Sequence, residues 1–243
     1  MVRKVLLLIL LMLMSLCLVE NIRVGLLDKV FYPILHAHAV KHNDFGLYVK
    51  CGQIKYAAAK YDEAKQDYAV VLQHARTSEN KRYKLLAYYY LGNVFYQTED
   101  YENALKAYAA VLKNDAGNRK ALKKFSRIMM AKGEYAQLYP FVSAYIKTKP
   151  RDSFGYAERC AILTRLEKYS YARAACEKAI SLRKGDARAH YDYAVLLEQQ
   201  GFDKLAEDEY KLAQGNQRNI KSREELEEML NIKPVQPADL FGF

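Results

Sequence analysis

The sequence has no Trp, only five Pro and eleven Gly in 243 residues, and four Cys. Those cysteines (Cys17, Cys51, Cys160 and Cys176) show no CxxC spacing, and no His stands near them at metal-ligand distance in sequence. That pattern excludes a zinc framework and a dense disulfide scaffold. The nucleotide-cradling, zinc-protease and serine-elbow motifs GxxxxGK, GxGxxG, HExxH and GxSxG are all missing. Asp and Glu scatter over polar helix faces as solvated surface, so neither catalysis nor a cofactor is expected. Acids are also scarce, 28 against 38 Lys and Arg, for a formal charge of +10. This excess permits contact with acidic proteins, anionic lipid or nucleic acid without choosing among them. What is abundant is Tyr, Ala and apolar bulk. Half the chain (51%) is hydrophobic, enough to build a core, and the length suits one or two domains.

Arg3 and Lys4 precede residues 5–19, fifteen positions without a charge. A basic start and a short apolar run read as a signal anchor or a signal peptide. The run is short against the roughly twenty residues of a bilayer span. Val2, the snorkelling of Arg3 and Lys4, and residues 22–27 would extend it. Cleavage after Cys17 is poorly specified, and Leu16 is bulky where a lipid-anchored cysteine wants a small neighbour. An uncleaved anchor is therefore the first expectation, with a cleaved signal or a lipid anchor as alternatives. Basic residues nearly balance across the run, with Arg23 and Lys29 after it. The signal-like order places the rest of the chain outside the cytoplasm, in a periplasm-like compartment. Residues 20–44 keep Ile22, Leu26, Leu27, Val30, Phe31, Ile34 and Leu35, and read as a juxtamembrane helical segment interrupted near Pro33. It would lie on the membrane or pack on the first repeat. His36, His38 and His42 invite a metal reading, but no Cys or carboxylate pair supports it, and no metal is expected.

The chain repeats itself. Gly52, Gly92, Ser126, Cys160 and Ala194 fall at steps of 40, 34, 34 and 34. Ala64, Ala104, Leu138, Ala172 and Ala206 share that register, as do Tyr68, Tyr108, Val142, Cys176 and Tyr210. A fourth column runs Tyr61, Tyr101, Tyr135 and Tyr169, then slips by one to Phe202. Searching for such periods comes before any other reading. Each unit divides into two helices, as with Tyr88, Leu91 and Phe95, a polar break at Thr98, Glu99 and Asp100, and then Ala104, Tyr108, Val111 and Leu112. Small residues let two antiparallel helices approach, and the aromatics fill the space to the next pair. Cys51, Cys160 and Cys176 sit in or beside these columns and read as buried thiols. A bond between Cys160 and Cys176 is a question only outside the cytoplasm.

Leu91, Gly92 and Phe95, then Tyr101, Ala104 and Tyr108, resemble the tetratricopeptide repeat. The resemblance covers residues 45–220 in about five units: 45–78, 85–118, 119–152, 153–186 and 187–220. The third is degenerate, with Ser126 for Gly and Leu138 for Ala, but Pro150 closes it. An insertion of six residues between the first two units is expected to lengthen their loop. The fold class is thus all-α, a solenoid of helical hairpins behind an N-terminal apolar membrane or signal helix. Solenoid ends need caps. Ser222 and Glu225 form a capping box that opens a helix over residues 221–230, with Leu226, Met229 and Leu230 as its stripe. Residues 231–243, with Pro234 and Pro237, read as an extended tail.

The resemblance implies that partners lie along the inner surface formed by the first helix of each pair. Carried over, that surface includes Tyr56, Tyr89, Asn93, Tyr96, Lys120, Lys123, Arg127, Arg188 and Tyr191. Independently, residues 117–133 hold six bases and no acid, and Lys120, Lys123 and Arg127 share one helical face. A basic groove with aromatic walls suits an acidic extended or helical segment of a protein partner. Some relatives clamp the carboxylate of chaperone tails, but Tyr89 stands where that clamp needs Lys, which excludes this mode. The reading is a membrane-tethered scaffold or adaptor for protein–protein interaction in a bacterial-type envelope complex. The alternative is a soluble periplasmic chaperone or peptide binder with a cleaved signal. Nucleic-acid binding is less favoured, because the bases cluster in one unit.

Overall fold

The computed structural model describes residues 24–75, 77, 80–215 and 222–230. The apolar run at residues 5–19 and the tail at 231–243 lie outside them. Among the described residues no helix is long and apolar enough to cross a membrane.

The architecture is all-α, with no strand among the described residues. A π-helical turn, Leu27–Phe31, leads into α1, Tyr32–His42. Then follow α2 (Phe45–Ala57), α3 (Tyr61–His74), α4 (Lys81–Gln97), α5 (Tyr101–Asn114), α6 (Arg119–Ala131) and α7 (Tyr135–Thr148). After these come α8 (Ser153–Arg165), α9 (Tyr169–Leu182), α10 (Ala187–Gln199), α11 (Asp203–Gln214) and α12 (Arg223–Met229). The chain divides into two compact units between Ala107 and Tyr108, inside α5.

The repeat columns acquire physical meaning in the helices. The small residues Gly52, Gly92, Ser126, Cys160 and Ala194 are all buried on the first helices. Tyr68, Tyr108, Val142 and Cys176 are fully buried on the second ones. Tyr61, Tyr101, Tyr135 and Tyr169 open α3, α5, α7 and α9, and Phe202 sits one residue before α11, which accounts for the slip in that column. Between the paired helices the chain turns through one left-handed residue: Ala59, Glu99, Gly133, Glu167 or Gly201. Such a residue closes a helix C-terminus, and glycine holds it without a Cβ penalty. The first helices other than α4 start on a side-chain cap, Asp44 serving α2. Asn118, Asp152 and Asp186, spaced by 34, accept backbone N–H groups of α6, α8 and α10.

Within the first unit, α2 pairs with α3, α3 meets α4, and α1 lies on α2. Within the second, α8 packs on α7, α9 and α10, and α10 on α11. Two expectations are corrected here. The insertion does not simply lengthen a loop. It adds a turn to α4, which has 17 residues where α2, α6, α8 and α10 have 13. Residues 81–84 contain no Pro or Gly to stop the helix, and Tyr83 packs on Gly46 of α2, within 3.0 Å of where a Cβ would stand. Nor does the interruption expected near Pro33 end the helix: it takes the form of the π turn. The π turn ends at Tyr32, whose N–H bonds the Leu27 carbonyl, and Pro33 follows in the first turn of α1, where a missing N–H is tolerated.

Candidate functional site

The second unit contains a cavity of about 520 Å³. Its walls come from α6 (Lys123, Lys124, Ser126, Arg127, Met130, Ala131), α8 (Glu158, Ala161, Thr164, Arg165) and α10 (Arg188, Tyr191, Asp192, Val195). Tyr135 of α7, and Arg223 and Glu227 of α12, complete it. First helices dominate because three successive ones present the same register. Lys124, Glu158 and Asp192 are one column at a step of 34, and Arg127, Ala161 and Val195 are another.

The floor is a buried charge network. Arg188 Nε donates to Asp192 Oδ2 at 2.7 Å, and its other arm lies 3.8 Å from Glu158. Ser126 donates a short hydrogen bond to Glu158. Burial pushes the Asp192 carboxyl up to about 7, against the pull of Arg188. The opposite wall is fastened by α12. Tyr191 Oη donates to Glu227 at 2.6 Å, and Arg223 reaches both Glu227 (3.2 Å) and Glu198 (2.9 Å). Leu226 buries beside Tyr191 and Ala213. Ser222 caps α12 by accepting the Glu225 N–H.

All three acids of the cavity are therefore engaged by the protein itself. They take up Arg188 and Arg223 but do not match every base. Lys123 and Arg165 are exposed and make no ion pair or hydrogen bond with a described residue. Burial, then the like charges of Arg127 and Lys123, push the Lys124 ammonium below the usual lysine value. The exposed cations Lys123 and Arg165, unpaired among the described residues, beside the apolar atoms of Met130, Ala131, Ala161 and Val195 give this space its chemical character.

Four of the expected partner residues, Lys123, Arg127, Arg188 and Tyr191, line this one cavity. Lys120 is exposed and does not. Arg188 and Tyr191 differ from expectation in kind: their polar ends are taken by Asp192, Glu158 and Glu227, which makes them floor and wall. In the first unit Tyr56, Tyr89, Asn93 and Tyr96 are half-buried, with Tyr56 against Tyr61, Tyr89 edge-on to Tyr90, and Tyr96 edge-on to Tyr101. Lys124, Arg165 and Arg223 were missed by the sequence reading. The repeat step itself was the available signal for the column of Lys124, Glu158 and Asp192.

Cys160 and Cys176 are joined in a disulfide between α8 and α9, with Cα atoms 5.2 Å apart. Both are buried as expected, but they are not free thiols. Cys51 is free and buried, and desolvation raises its thiol to about 12. His38 and His42 lie ring to ring, tilted, with centroids 4.3 Å apart. Among the described residues no three His, Cys, Asp or Glu side chains are grouped to hold a metal.

No protein-family model and no curated protein matches the sequence. Solved structures do match in fold. A MamA fragment (41-end) from Desulfovibrio magneticus RS-1 superposes with TM-score 0.58 at 17% identity, over 73% of this chain and 97% of that one. YrrB, described as a TPR protein with an unusual peptide-binding site, gives 0.58 at 15% identity, over 81% and 97%. Likenesses at such identity establish the fold and nothing finer.

Proposed function

From the premise that this chain is a tetratricopeptide-type helical repeat, we propose that it is an adaptor that seats an acidic segment of a protein partner in the cavity between α6, α8 and α10. One observation carries this reading. Every acid of the cavity is engaged internally, while Lys123 and Arg165 pair with no described residue at its edge. An incoming Asp or Glu would complete those cations, and charge-assisted bonds in a partly dry site are the strong ones. Apolar contacts with Met130 and Val195 would add affinity without direction. The peptide-binding description of YrrB supports the mode.

The adaptor is further proposed to be held at a membrane by residues 5–19, with its repeats outside the cytoplasm in an envelope complex. The Cys160–Cys176 bond supports that compartment, because disulfides persist in oxidising surroundings.

The test uses the full chain as bait in a native envelope extract. Lys123→Glu with Arg165→Glu is expected to lose partner capture with the circular dichroism spectrum unchanged. Lys120→Glu, off the cavity, is expected to retain it. Unchanged capture by the double variant overturns the assignment.

A further inference from the structure

Apolar residues appear on both sides of the helix that precedes the repeats, and among the described residues only one side is covered. Its inner side is clamped to the first repeat. Asp28 is buried between Lys55 Nζ at 2.8 Å and Lys60 Nζ at 2.6 Å. Phe31 and Ala39 are buried, Lys55 also sits over the Tyr32 ring, and His36 reaches Asp67 at 3.4 Å. These contacts fix the rotation of α1. The helix cannot roll to hide its other side.

That other side exposes Val30, Ile34 and Val40 at 47%, 50% and 56%, with Pro33 and Ala37 exposed among them. A stripe of this kind in water normally has a covering partner. Exposed Lys29, Lys41, His38 and His42 flank it. Residues 29–43 contain no acid, and the acids on either side are occupied, Asp28 by Lys55 and Lys60 and Asp44 as the cap of α2. An apolar stripe edged with cations is the chemistry of a helix lying in the interface of an anionic bilayer.

Proximity argues for the same occupant. Only residues 20–26 separate the uncharged run from this helix, and seven residues reach at most about 25 Å. We infer that the outer side of residues 29–41 is a lipid-contacting surface that lays the first repeat against an anionic membrane. The inference rests on the tether proposed above.

The absence of Trp makes the test direct. Ile34→Trp and, as a second position, Val40→Trp are made in the full chain. Tyr171→Trp, at a site 70% exposed on α9, serves as control. Each is mixed with vesicles of phosphatidylglycerol and phosphatidylcholine carrying brominated acyl chains, and binding is scored by flotation. The expected result is a blue shift and bromine quenching at positions 34 and 40, with neither at 171. If the chain floats but the indoles at 34 and 40 stay in water, the tether stands and this inference falls. If the chain does not float, both fall. A blue shift without lipid that grows with protein concentration assigns the surface to a second copy and overturns the inference.

Discussion

Tyr68 occupies the space that a side chain at position 52 would need. A Cβ on Gly52 would stand 2.6 Å from Cζ of the Tyr68 ring, which is itself fully buried. The two residues are sixteen apart, the separation at which Cys160 and Cys176 are bonded in the fourth repeat. One pair of positions thus joins the two helices of a hairpin by aromatic packing in one repeat and by a covalent bond in another.

Gly52→Ala should therefore destabilise the first unit by about 1–3 kcal/mol, the usual cost of overpacking. Gly185→Ala, where a Cβ meets nothing within 4 Å, should change stability by less than about 0.5 kcal/mol. Urea midpoints of the two variants check the contrast. Equal midpoints would show that the contact has no energetic role.

Breaking the Cys160–Cys176 bond should lower stability by about 3 kcal/mol, as for other loops of this length. Urea titration with and without a reductant reads the difference. Thiol titration of the unfolded, unreduced chain should leave both of these cysteines unreactive. Reaction of all four cysteines without reductant would contradict the pairing.

Lys55 holds Asp28 against the first repeat, and it also pairs with Glu63 at 2.7 Å. Burial alone would raise the Asp28 carboxyl, but bonds from Lys55 and Lys60 keep it below the usual range. Lys55→Met should cost about 1–3 kcal/mol, because it leaves the buried Asp28 with Lys60 as its one remaining cation among the described residues. Hydrogen exchange should rise first over residues 27–42. Adding Asp28→Leu should recover much of the loss. Unchanged exchange in the single variant would show that the clamp is not what holds the helix.

Asp67 is buried, and one of its carboxylate oxygens has no hydrogen-bond partner among the described residues. Burial raises its carboxyl to about 7, against a bond from Tyr32 and the charge of Lys55. Its folded value lies above the unfolded value near 4, so the folded state holds the extra proton between them. Stability should therefore fall as pH rises through that window. Asp67→Asn should add about 1–3 kcal/mol above pH 7 and much less near pH 4. Denaturation midpoints across that range check the sign, and a variant less stable than the parent at high pH would contradict it.

The hairpin pattern was legible because packing columns repeat: a small residue at 52, 92, 126, 160 and 194 is demanded by the same close approach each time. The extra turn of α4 was not, since a six-residue insertion reads alike whether it coils or loops. Only Tyr83 against Gly46 decides it. At the site, the bases of α6 were visible as an acid-free stretch. The engagement of Arg188 by Asp192 and Glu158 depends on side chains brought together from neighbouring repeats, and single-helix spacing did not reveal it. Arg165 ends α8, where its own segment gives no sign that it faces the bases of α6.

The most direct test of the adaptor reading is a photoreactive benzophenone side chain placed at Met130, inside the cavity, in the full chain in its native membranes. The expected product is an adduct to a protein segment rich in Asp and Glu. It should be lost when Lys123→Glu and Arg165→Glu are added. An adduct that survives those changes, an adduct to nucleic acid, or labelling only from an exposed position such as Tyr171, would contradict the assignment of the cavity as the partner site.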